Sequence, residues 1–492
     1  MKITIQKISS MLLCAVLICS LLPVRVDASF EIPRSCQVQT DTGAAGMVKT
    51  LDYAYGNNTY YSLRDIAMIL ANTDKPFSLE ITKDAASLNT GNVYVPVGGE
   101  NVFWEESEDG EYPDISLRRN KFSVNGQNVY YYTMITRMPS GYYDCFMMAA
   151  DLGMILDVNI TVPAAGTLQL HTQESFGISP AALEQAGYFY GVNGVLVGDA
   201  TTGEIYYQYQ SDIPYPIAST SKLMTYLLTM DAISAGQITY GEQVTISETV
   251  QLLADSGDGV LPLEAGEQIT VRELVLGTLL PSSNECALCL AETIAGSEEA
   301  FVRLMNQKAL DIGLSQAVFF NSHGLPAYTE DPIPSKRQNR MSAEDMFRLA
   351  SYLLKVYPQI TDITSLEYAT LESLEQEVRN TNPLLRNMPE VTGLKTGTTN
   401  RAGACLVTSL TAYDGNTEHD LIVVVLGTED SIERGRVSGL LARYALHAFY
   451  GDMEEPEGGA PEQTPENLPI HAEAAVDWIL RTARGQEITE GS

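Results

Sequence analysis

A helical pattern of apolar residues follows Ile217 and extends to about residue 235. Its apolar side chains recur mostly three or four positions apart, at Leu223, Met224, Leu227, Leu228 and Ile233. This spacing predicts a buried helix, and Gly236 is a typical residue to end one. Ser219 stands where the helix begins, so its side chain and that of Lys222, one turn later, are expected on the same face.

Two pairs of apolar segments predict β-hairpins at opposite ends of the region that contains this helix. The first pair is 192–197 with 204–209, and the second is 403–410 with 421–426; a polar, glycine-containing turn separates the members of each pair. Helical patterns occupy the chain between the hairpins. Strands at both ends with helices between them predict an α+β fold, in which an antiparallel sheet is backed by a helical part.

The first residues have the pattern of an export signal. Lys2 and Lys7 precede an apolar run at 11–24, and Val26-Asp27-Ala28 has small residues suited to cleavage after Ala28. A membrane anchor is the alternative, but the run is shorter than the ~20 apolar residues that span a bilayer. We therefore expect a protein that is exported across the cytoplasmic membrane.

A short motif occurs twice between the predicted leader and residue 172. Tyr60-Tyr61 is followed by an apolar helical pattern at 65–70, and Tyr142-Tyr143 by a similar one at 151–156. Two copies of a strand–helix–strand module are the simplest account. The first copy resembles modules named after the copper amine oxidase N-terminal domain, which recur as stalks on secreted bacterial proteins. No histidine precedes His171, so the resemblance implies no copper site but a spacer or wall-contact module.

Composition limits the classes of partner. The 492 residues carry 62 acidic and 30 basic side chains, a formal net charge of −32, which argues against nucleic acid and anionic membranes as partners. The cysteines and histidines show no metal-ligand spacing, and Cys286-x-x-Cys289 lies in an apolar helical pattern typical of packed core, so neither metal nor cofactor is expected. The predicted segments are a leader (1–28), a stalk-like domain (29–172), a linker (173–187), a main domain (188–450) and an acidic, proline-rich tail with a short helical run (451–492).

Three short motifs in the main domain carry candidate chemistry. The first is Ser-x-x-Lys at Ser219 and Lys222, where the amine could reach a hydroxyl placed at a helix N-terminus. Alone it is weak, and a capping serine with a solvated lysine is the alternative. The second is Ser282-Ser283-Asn284, for which a helix capping box of Ser282 and Glu285 is a competing explanation.

The third motif is Lys395-Thr396-Gly397-Thr398, just before the strand predicted at 403–410. Its glycine lets a ligand approach the backbone closely, and its lysine and two threonines offer one cation and two hydroxyls to a carboxylate. An ordinary edge-strand turn is the alternative. The order Ser-x-x-Lys, Ser-x-Asn, Lys-Thr-Gly is that of class A β-lactamases and penicillin-binding proteins.

The wider context resembles the low-molecular-mass penicillin-binding proteins that act as D-alanyl-D-alanine carboxypeptidases. The similarity covers about 190–450 and includes the stretches 217–225, 280–285, 321–326, 382–385 and 392–397. It implies the β-lactamase/transpeptidase-like fold, a peptidoglycan stem peptide as substrate and β-lactam antibiotics as covalent inhibitors. Two features depart from the family: Ser283 stands where glycine is usual, and no following domain with a membrane-binding helix is evident.

The resemblance also implies roles for individual residues. Ser219 would be the nucleophile, Lys222 its base and Ser282 a proton relay. Asn284 would hold Lys222 and the substrate amide, and the backbone N–H groups of Ser219 and Thr398 would form an oxyanion hole. The terminal carboxylate would be bound by Lys395, Thr396 and Thr398 beside Gly397, with help from Arg434 or Arg436.

Two rival functions stay open from the sequence. A class A β-lactamase would share the motifs but would need a Glu-x-x-Leu-Asn stretch between the second and third, where the chain instead has 321–326. A catalytically silent wall-binding protein would use only the N-terminal repeats. Carboxypeptidase, endopeptidase and transpeptidase actions on the same substrate are not distinguished.

Overall fold

The computed structural model describes residues 34–450, except 54–57, 99, 101–120, 130–132, 139–140, 164–165, 178–179, 186–187, 190, 329–335 and 387. The predicted leader and the acidic tail therefore lie outside the described residues. Among the described helices, none combines the length and apolar character that crossing a bilayer requires.

Two sheets form the N-terminal domain. Their strands, in chain order, are β1 (Arg34–Thr40), β2 (Ala45–Tyr53), β3 (Asn58–Ser62), β4 (Phe77–Ile81), β5 (Ala85–Thr90), β6 (Lys121–Val124), β7 (Gln127–Val129), β8 (Met134–Arg137), β9 (Tyr143–Met148), β10 (Asn159–Thr161) and β11 (Thr167–His171). The larger sheet has the order β10-β11-β1-β2-β3-β9-β8, and the smaller one has the order β4-β5-β6-β7.

The repeated motif forms two neighbouring strand–helix units. Strand β3 leads into α1 (Leu63–Leu70), and β9 leads into α2 (Ala149–Leu156). Strands β3 and β9 pair antiparallel, so the two units lie side by side in one sheet. The helices occur where the repeat predicts them, while the type of module remains a prediction.

A buried ionic cluster joins the first unit to the second. Lys49 on β2 lies 2.6 and 2.7 Å from the two oxygens of Asp65 on α1, and its Nζ is 3.9 Å from Oδ2 of Asp144 on β9. All three side chains are fully buried. The Ser62 hydroxyl, at the end of β3, donates to Asp144 at 2.8 Å, so the cluster ties β2, β3, α1 and β9 together.

The main domain contains the two hairpins that the apolar pattern predicts. Its five-stranded antiparallel sheet has the order β13-β12-β24-β23-β22. The strands are β12 (Gly194–Asp199), β13 (Ile205–Tyr209), β22 (Val391–Thr399), β23 (Gly403–Asp414) and β24 (Thr417–Thr428). Four short two-stranded pairs complete the strands: β14 (Tyr215–Pro216) with β19 (Arg340–Met341), β15 (Gln243–Thr245) with β16 (Gln268–Thr270), β17 (Ala327–Tyr328) with β18 (Lys336–Arg337), and β20 (Tyr368–Leu371) with β21 (Gln376–Arg379).

The remaining helices connect the hairpins or cover the sheet. They are α3 (Pro180–Gln185), α4 (Lys222–Ser234), α5 (Glu248–Ala254), α6 (Val271–Leu279), α7 (Asn284–Ala295), α8 (Glu298–Asp311), α9 (Ala343–Val356), α10 (Ile360–Thr364) and α11 (Ser431–Tyr450). A reciprocal capping box of Thr270 and Glu273 opens α6. Ser283, not Ser282, caps α7, so the alternative capping box of Ser282 and Glu285 is wrong. The domain has the α+β architecture that the pattern of strands and helices predicts.

The sheet separates two apolar cores. Alternate residues of a strand point to opposite faces, and Leu196 packs with the helices α4 and α9 while Val195 and Val197 face α11. The second core also contains N-terminal residues, among them Phe146 and Met148. Helix α11 therefore lies between the sheet and the N-terminal domain.

The segment predicted as a linker joins this second core. It contains α3, and the side chains of Phe176 and Leu183 are buried with those of the sheet and α11. The connection between the domains is therefore packed along part of its length.

Candidate active site

Ser219 lies in a tight 3-10 turn, Ala218–Ser221, directly before α4. The turn is held by its own hydroxyls, because Thr220 Oγ1 donates to the Ile217 carbonyl at 2.6 Å and Ser221 Oγ to the Ala218 carbonyl at 2.8 Å. Ala218 adopts a left-handed φ of 48°, which non-glycine residues rarely do. The turn presents a half-buried Ser219 at the helix N-terminus, as the sequence predicts.

Lys222 is buried beside Ser219 and is surrounded by neutral oxygens. Its Nζ lies 2.8 Å from Ser219 Oγ, 2.8 Å from Asn284 Oδ1 and 2.9 Å from the carbonyl oxygen of His323. Burial withdraws the amine from water and lowers the pKa of Lys222 to about 7, although the charge of Glu285 acts in the opposite direction. A substantial fraction of the amine is therefore neutral near pH 7 and can accept a proton.

The second motif approaches Lys222 from the start of α7. Asn284 is the first residue of that helix, and its Nδ2 donates to the Asp258 carbonyl at 2.9 Å, which orients Oδ1 towards the lysine. Ser282, two residues earlier, is half-buried and has a left-handed φ of 69°. Strain of this kind at a non-glycine residue is frequent at functional sites.

The stretch 321–325 contributes backbone rather than side-chain chemistry. The His323 carbonyl accepts from Lys222, and Gly324 has a φ of +95°. A Cβ at Gly324 would lie 2.1 Å from the Ala218 carbonyl oxygen, so only glycine fits against the turn of Ser219. Burial, with the positive charge of Lys222, lowers the pKa of His323 to about 3, which keeps its ring neutral. The residue types of this stretch gave the resemblance, but nothing in them predicted a carbonyl partner for Lys222.

Strand β22, at the edge of the sheet, brings the third motif to the same place. A Cβ on Gly397 would lie 2.8 Å from the Ser219 backbone nitrogen and 2.9 Å from that of Thr220. The glycine is therefore required because the strand passes directly over the turn that carries Ser219. Lys395 is fully buried, and its pKa lies well below the ordinary value because of burial and the positive charges of Lys222 and Arg434.

The two threonines of this strand have different surroundings. Thr396 is buried, and its Oγ1 lies 2.5 Å from Oγ1 of Thr381. Thr398 is exposed and accepts a hydrogen bond from Arg434 at 3.1 Å. Arg434 is thus at the third motif.

Arg436, the other arginine considered from the sequence, lies elsewhere. It is bonded to Glu433, its guanidinium stacks over the Tyr188 ring at 4.4 Å, and its Nη1 is 3.8 Å from Asp151 on α2. Its proposed help in binding a carboxylate at the site is therefore wrong, because it is committed to the contact between the domains.

Hydrogen bonds from Lys222 thus join Ser219, Asn284 and the His323 carbonyl, and Gly397 places the third motif against them. Glu285 and the His323 carbonyl are the members that sequence reasoning did not identify as part of the site. No group of three or more histidine, cysteine or acidic side chains in the described parts of the chain is arranged to hold a metal ion.

Comparison with known proteins agrees with the family resemblance found in the sequence. The model of the Peptidase_S11 family, described as D-alanyl-D-alanine carboxypeptidase, matches residues 192–430. The chain is 36% identical over 266 residues to D-alanyl-D-alanine carboxypeptidase DacF of Bacillus subtilis (strain 168), covering 52% of this chain and 64% of that protein. It is 31% identical over 295 residues to DacC, a D-alanyl-D-alanine carboxypeptidase of Escherichia coli (strain K12), covering 56% of this chain and 70% of that protein.

Among solved structures, a peptidoglycan synthesis regulatory factor (PBP3) from Streptococcus pneumoniae is 33% identical to this chain. The alignment covers 52% of this chain and 73% of that structure, with a TM-score of 0.48. The chain thus spans just under two thirds of DacF and somewhat more of DacC. On these sequence relationships, the chain belongs to the D-alanyl-D-alanine carboxypeptidase family of serine peptidases.

Proposed function

We propose that this protein is a serine D-alanyl-D-alanine carboxypeptidase, which removes the terminal D-alanine from peptidoglycan stem pentapeptides through an acyl-enzyme. The observation that carries the proposal is the contact of 2.8 Å between Lys222 Nζ and Ser219 Oγ, made by a buried amine whose pKa is about 7. A base within hydrogen-bond reach and with a pKa near the working pH is what activation of a serine hydroxyl needs.

In the first step Ser219 attacks the carbonyl of the penultimate D-alanine while Lys222 takes the hydroxyl proton. The backbone N–H groups of Ser219 and Thr398 stabilise the oxyanion, each contributing about 3 kcal/mol to transition-state binding. The close passage of Gly397 over the Ser219 nitrogen supports this role, since it brings the two backbones together. The C–N bond then breaks, D-alanine leaves with a proton, and the acyl group stays on Ser219.

Ser282 is proposed to relay the proton to the leaving nitrogen. Its left-handed backbone and its position two residues before Asn284 support that role. Water then hydrolyses the ester, which restores the Ser219 hydroxyl.

The carboxylate of the terminal D-alanine is proposed to bind at Lys395, Thr398 and Arg434. A bound anion favours the charged form of Lys395, whose pKa is otherwise lowered by burial and by the neighbouring cations. Thr396, which lies between Lys395 and Gly397, is proposed to help bind the same carboxylate. Asn284 is proposed to contact the substrate amide in addition to Lys222.

β-Lactams are proposed as covalent inhibitors, because their strained amide offers Ser219 the same reaction. Their acyl-enzyme is expected to hydrolyse slowly, since no Glu-x-x-Leu-Asn stretch lies between the second and third motifs.

The test measures D-alanine released from a pentapeptide ending in D-Ala-D-Ala, together with labelling by a fluorescent penicillin. Wild type is expected to release D-alanine and to be labelled, and Ser219→Ala to do neither. Ser365→Ala, at an exposed serine near the end of α10, is the matched control and is expected to behave as wild type. Labelling that survives Ser219→Ala would remove the nucleophile, and rapid nitrocefin turnover would instead indicate a β-lactamase.

The family acts on peptidoglycan, which lies outside the cytoplasmic membrane. We propose that the chain is exported, that its leader is cleaved after Ala28, and that the N-terminal domain contacts the cell wall. The mass of the secreted protein tests the cleavage site, because the mature chain should begin at Ser29. Co-sedimentation of residues 29–450 with purified, insoluble peptidoglycan tests the wall contact, with the Ser219→Ala variant excluding capture through the active site.

A further inference from the structure

Glu285 is a buried carboxylate that the proposed mechanism leaves without a role. It lies in the first turn of α7, immediately after Asn284, and is completely inaccessible. Its Oε1 accepts from the backbone N–H groups of Val260, at 2.9 Å, and Leu261. Its Oε2 is buried and has no hydrogen-bond partner among the described residues. Burying a carboxyl oxygen without a hydrogen bond costs free energy, so the presence of this acid requires an explanation.

The segment that Glu285 holds is the one that orients Asn284. The Asp258 carbonyl accepts from Asn284 Nδ2 at 2.9 Å, and Asn284 Oδ1 in turn accepts from Lys222. Residues 258–261 are therefore tied to the start of α7 twice, once through Asn284 and once through Glu285. Gly259 packs directly against the backbone of Ala254, since a Cβ on Gly259 would lie 1.9 Å from the Ala254 carbonyl oxygen. This segment therefore has little room to shift.

The charge of Glu285 also acts on the proposed base. Glu285 and Cys286, both on α7, act electrostatically on the pKa of Lys222. The charge of Lys222 in turn lowers the pKa of Lys395 on β22 and that of His323. Burial raises the pKa of the Cys286 thiol well above its ordinary value, so that group is neutral. Glu285 is the one carboxylic acid among these four groups, and its charge raises the pKa of Lys222 against the effect of burial.

We propose that Glu285 is a positioning residue for acylation: it fixes segment 258–261, so that the Asp258 carbonyl aims Asn284 at Lys222. Its charge at the same time keeps Lys222 protonated to a higher pH than burial alone would allow. The inference rests on the proposed function, because it assigns Lys222 as the base that Glu285 serves.

The experiment measures the second-order rate of acylation by a fluorescent penicillin between pH 5 and 9. In wild type the rate is expected to rise through about pH 7 as Lys222 loses its proton. Glu285→Gln keeps an oxygen for Val260 and Leu261 but removes the charge. Its midpoint is expected to fall by about one pH unit, since a nearby opposite charge shifts a pKa by roughly 1–3 units.

Glu285→Asp separates the two roles, because it keeps the charge on a side chain too short to hold both N–H groups. It is expected to acylate several-fold more slowly with an unmoved midpoint. Glu292→Gln is the control: it removes a carboxylate two turns further along α7, where Glu292 accepts from Ser247. It should match wild type in rate and midpoint.

A wild-type midpoint in Glu285→Gln together with a wild-type rate in Glu285→Asp would overturn the inference. If Glu285→Gln does not fold, the rate of Glu285→Asp decides alone. Failure of the proposed function looks different, because wild type itself would then neither be labelled nor release D-alanine at any pH.

Discussion

Lys49 and Lys222 are both completely buried, and their surroundings are opposite in kind. Lys49 in the N-terminal domain lies against both carboxylate oxygens of Asp65 and near Asp144. Lys222 in the main domain is bonded to a hydroxyl, an amide oxygen and a backbone carbonyl, all of them neutral. Carboxylates compensate a buried ammonium, whereas neutral oxygens do so only in part. Because both lysines are equally buried, the groups beside each amine distinguish the proposed base from the ion-paired lysine.

Replacing Lys222 by methionine is expected to give the largest effect on activity. The Ser219 hydroxyl loses its proposed base, so penicillin acylation should fall by about 10²–10⁴-fold. The free energy of unfolding should fall by only about 1–3 kcal/mol, because only neutral acceptors lose their hydrogen-bond partner. Labelling kinetics and urea denaturation measure the two quantities. Acylation near the wild-type rate would mean that another group is the base.

Replacing Lys49 by methionine is expected to have a large effect on stability and a small one on acylation. Lys49→Met leaves Asp65 and Asp144 buried without their cation, which should cost about 3–5 kcal/mol of the unfolding free energy. Acylation by folded protein should stay close to wild type, since the cluster lies in the N-terminal domain. Urea denaturation followed by tryptic peptide mapping identifies the domain that unfolds. A stability equal to that of wild type would show that the cluster is not a buried ion pair in solution.

A smaller effect is expected from Asp144, whose pKa burial raises to about 6 despite the opposing charge of Lys49. The folded state therefore binds a proton more tightly than the unfolded chain, and stability should fall as the pH rises from about 4 to about 6. Asp144→Asn removes this contribution, so its stability should decline less over that window, by up to about 2 kcal/mol. Urea midpoints at pH 4.5 and 6.5 for both proteins give the difference. Identical pH dependence would exclude Asp144 as the titrating group.

Local patterns in the sequence predicted much of the main domain. The apolar spacing after Ile217 located α4 and put Ser219 and Lys222 on one face, and the paired apolar segments located both hairpins. The capping box of Thr270 and Glu273 is a feature of the same local kind, because both of its members lie within one turn. Each of these features depends on residues close together in the chain.

Features that depend on distant residues were not predictable in the same way. Ser282 and Ser283 both have side chains suited to cap a helix, and it is the hydroxyl of Ser283 that accepts from the Cys286 N–H. The role of His323 is played by its carbonyl, which every residue has. The partners of Lys49 were not predicted, since Asp144 approaches it through the pairing of β2, β3 and β9, and Asp65 through the helix that follows β3.

Helix α11 carries Arg434 on the side of the third motif and, half a turn later, Arg436 against Tyr188 and against Asp151 of the N-terminal domain. Val437, Leu440 and Leu441 of the same helix are buried in the core that both halves share. A truncation that begins at residue 188 would therefore uncover part of this apolar core and remove Asp151 from Arg436, which would keep Glu433 as its ion-pair partner. Anyone dissecting the chain for crystallisation or inhibitor screening should keep the two halves together.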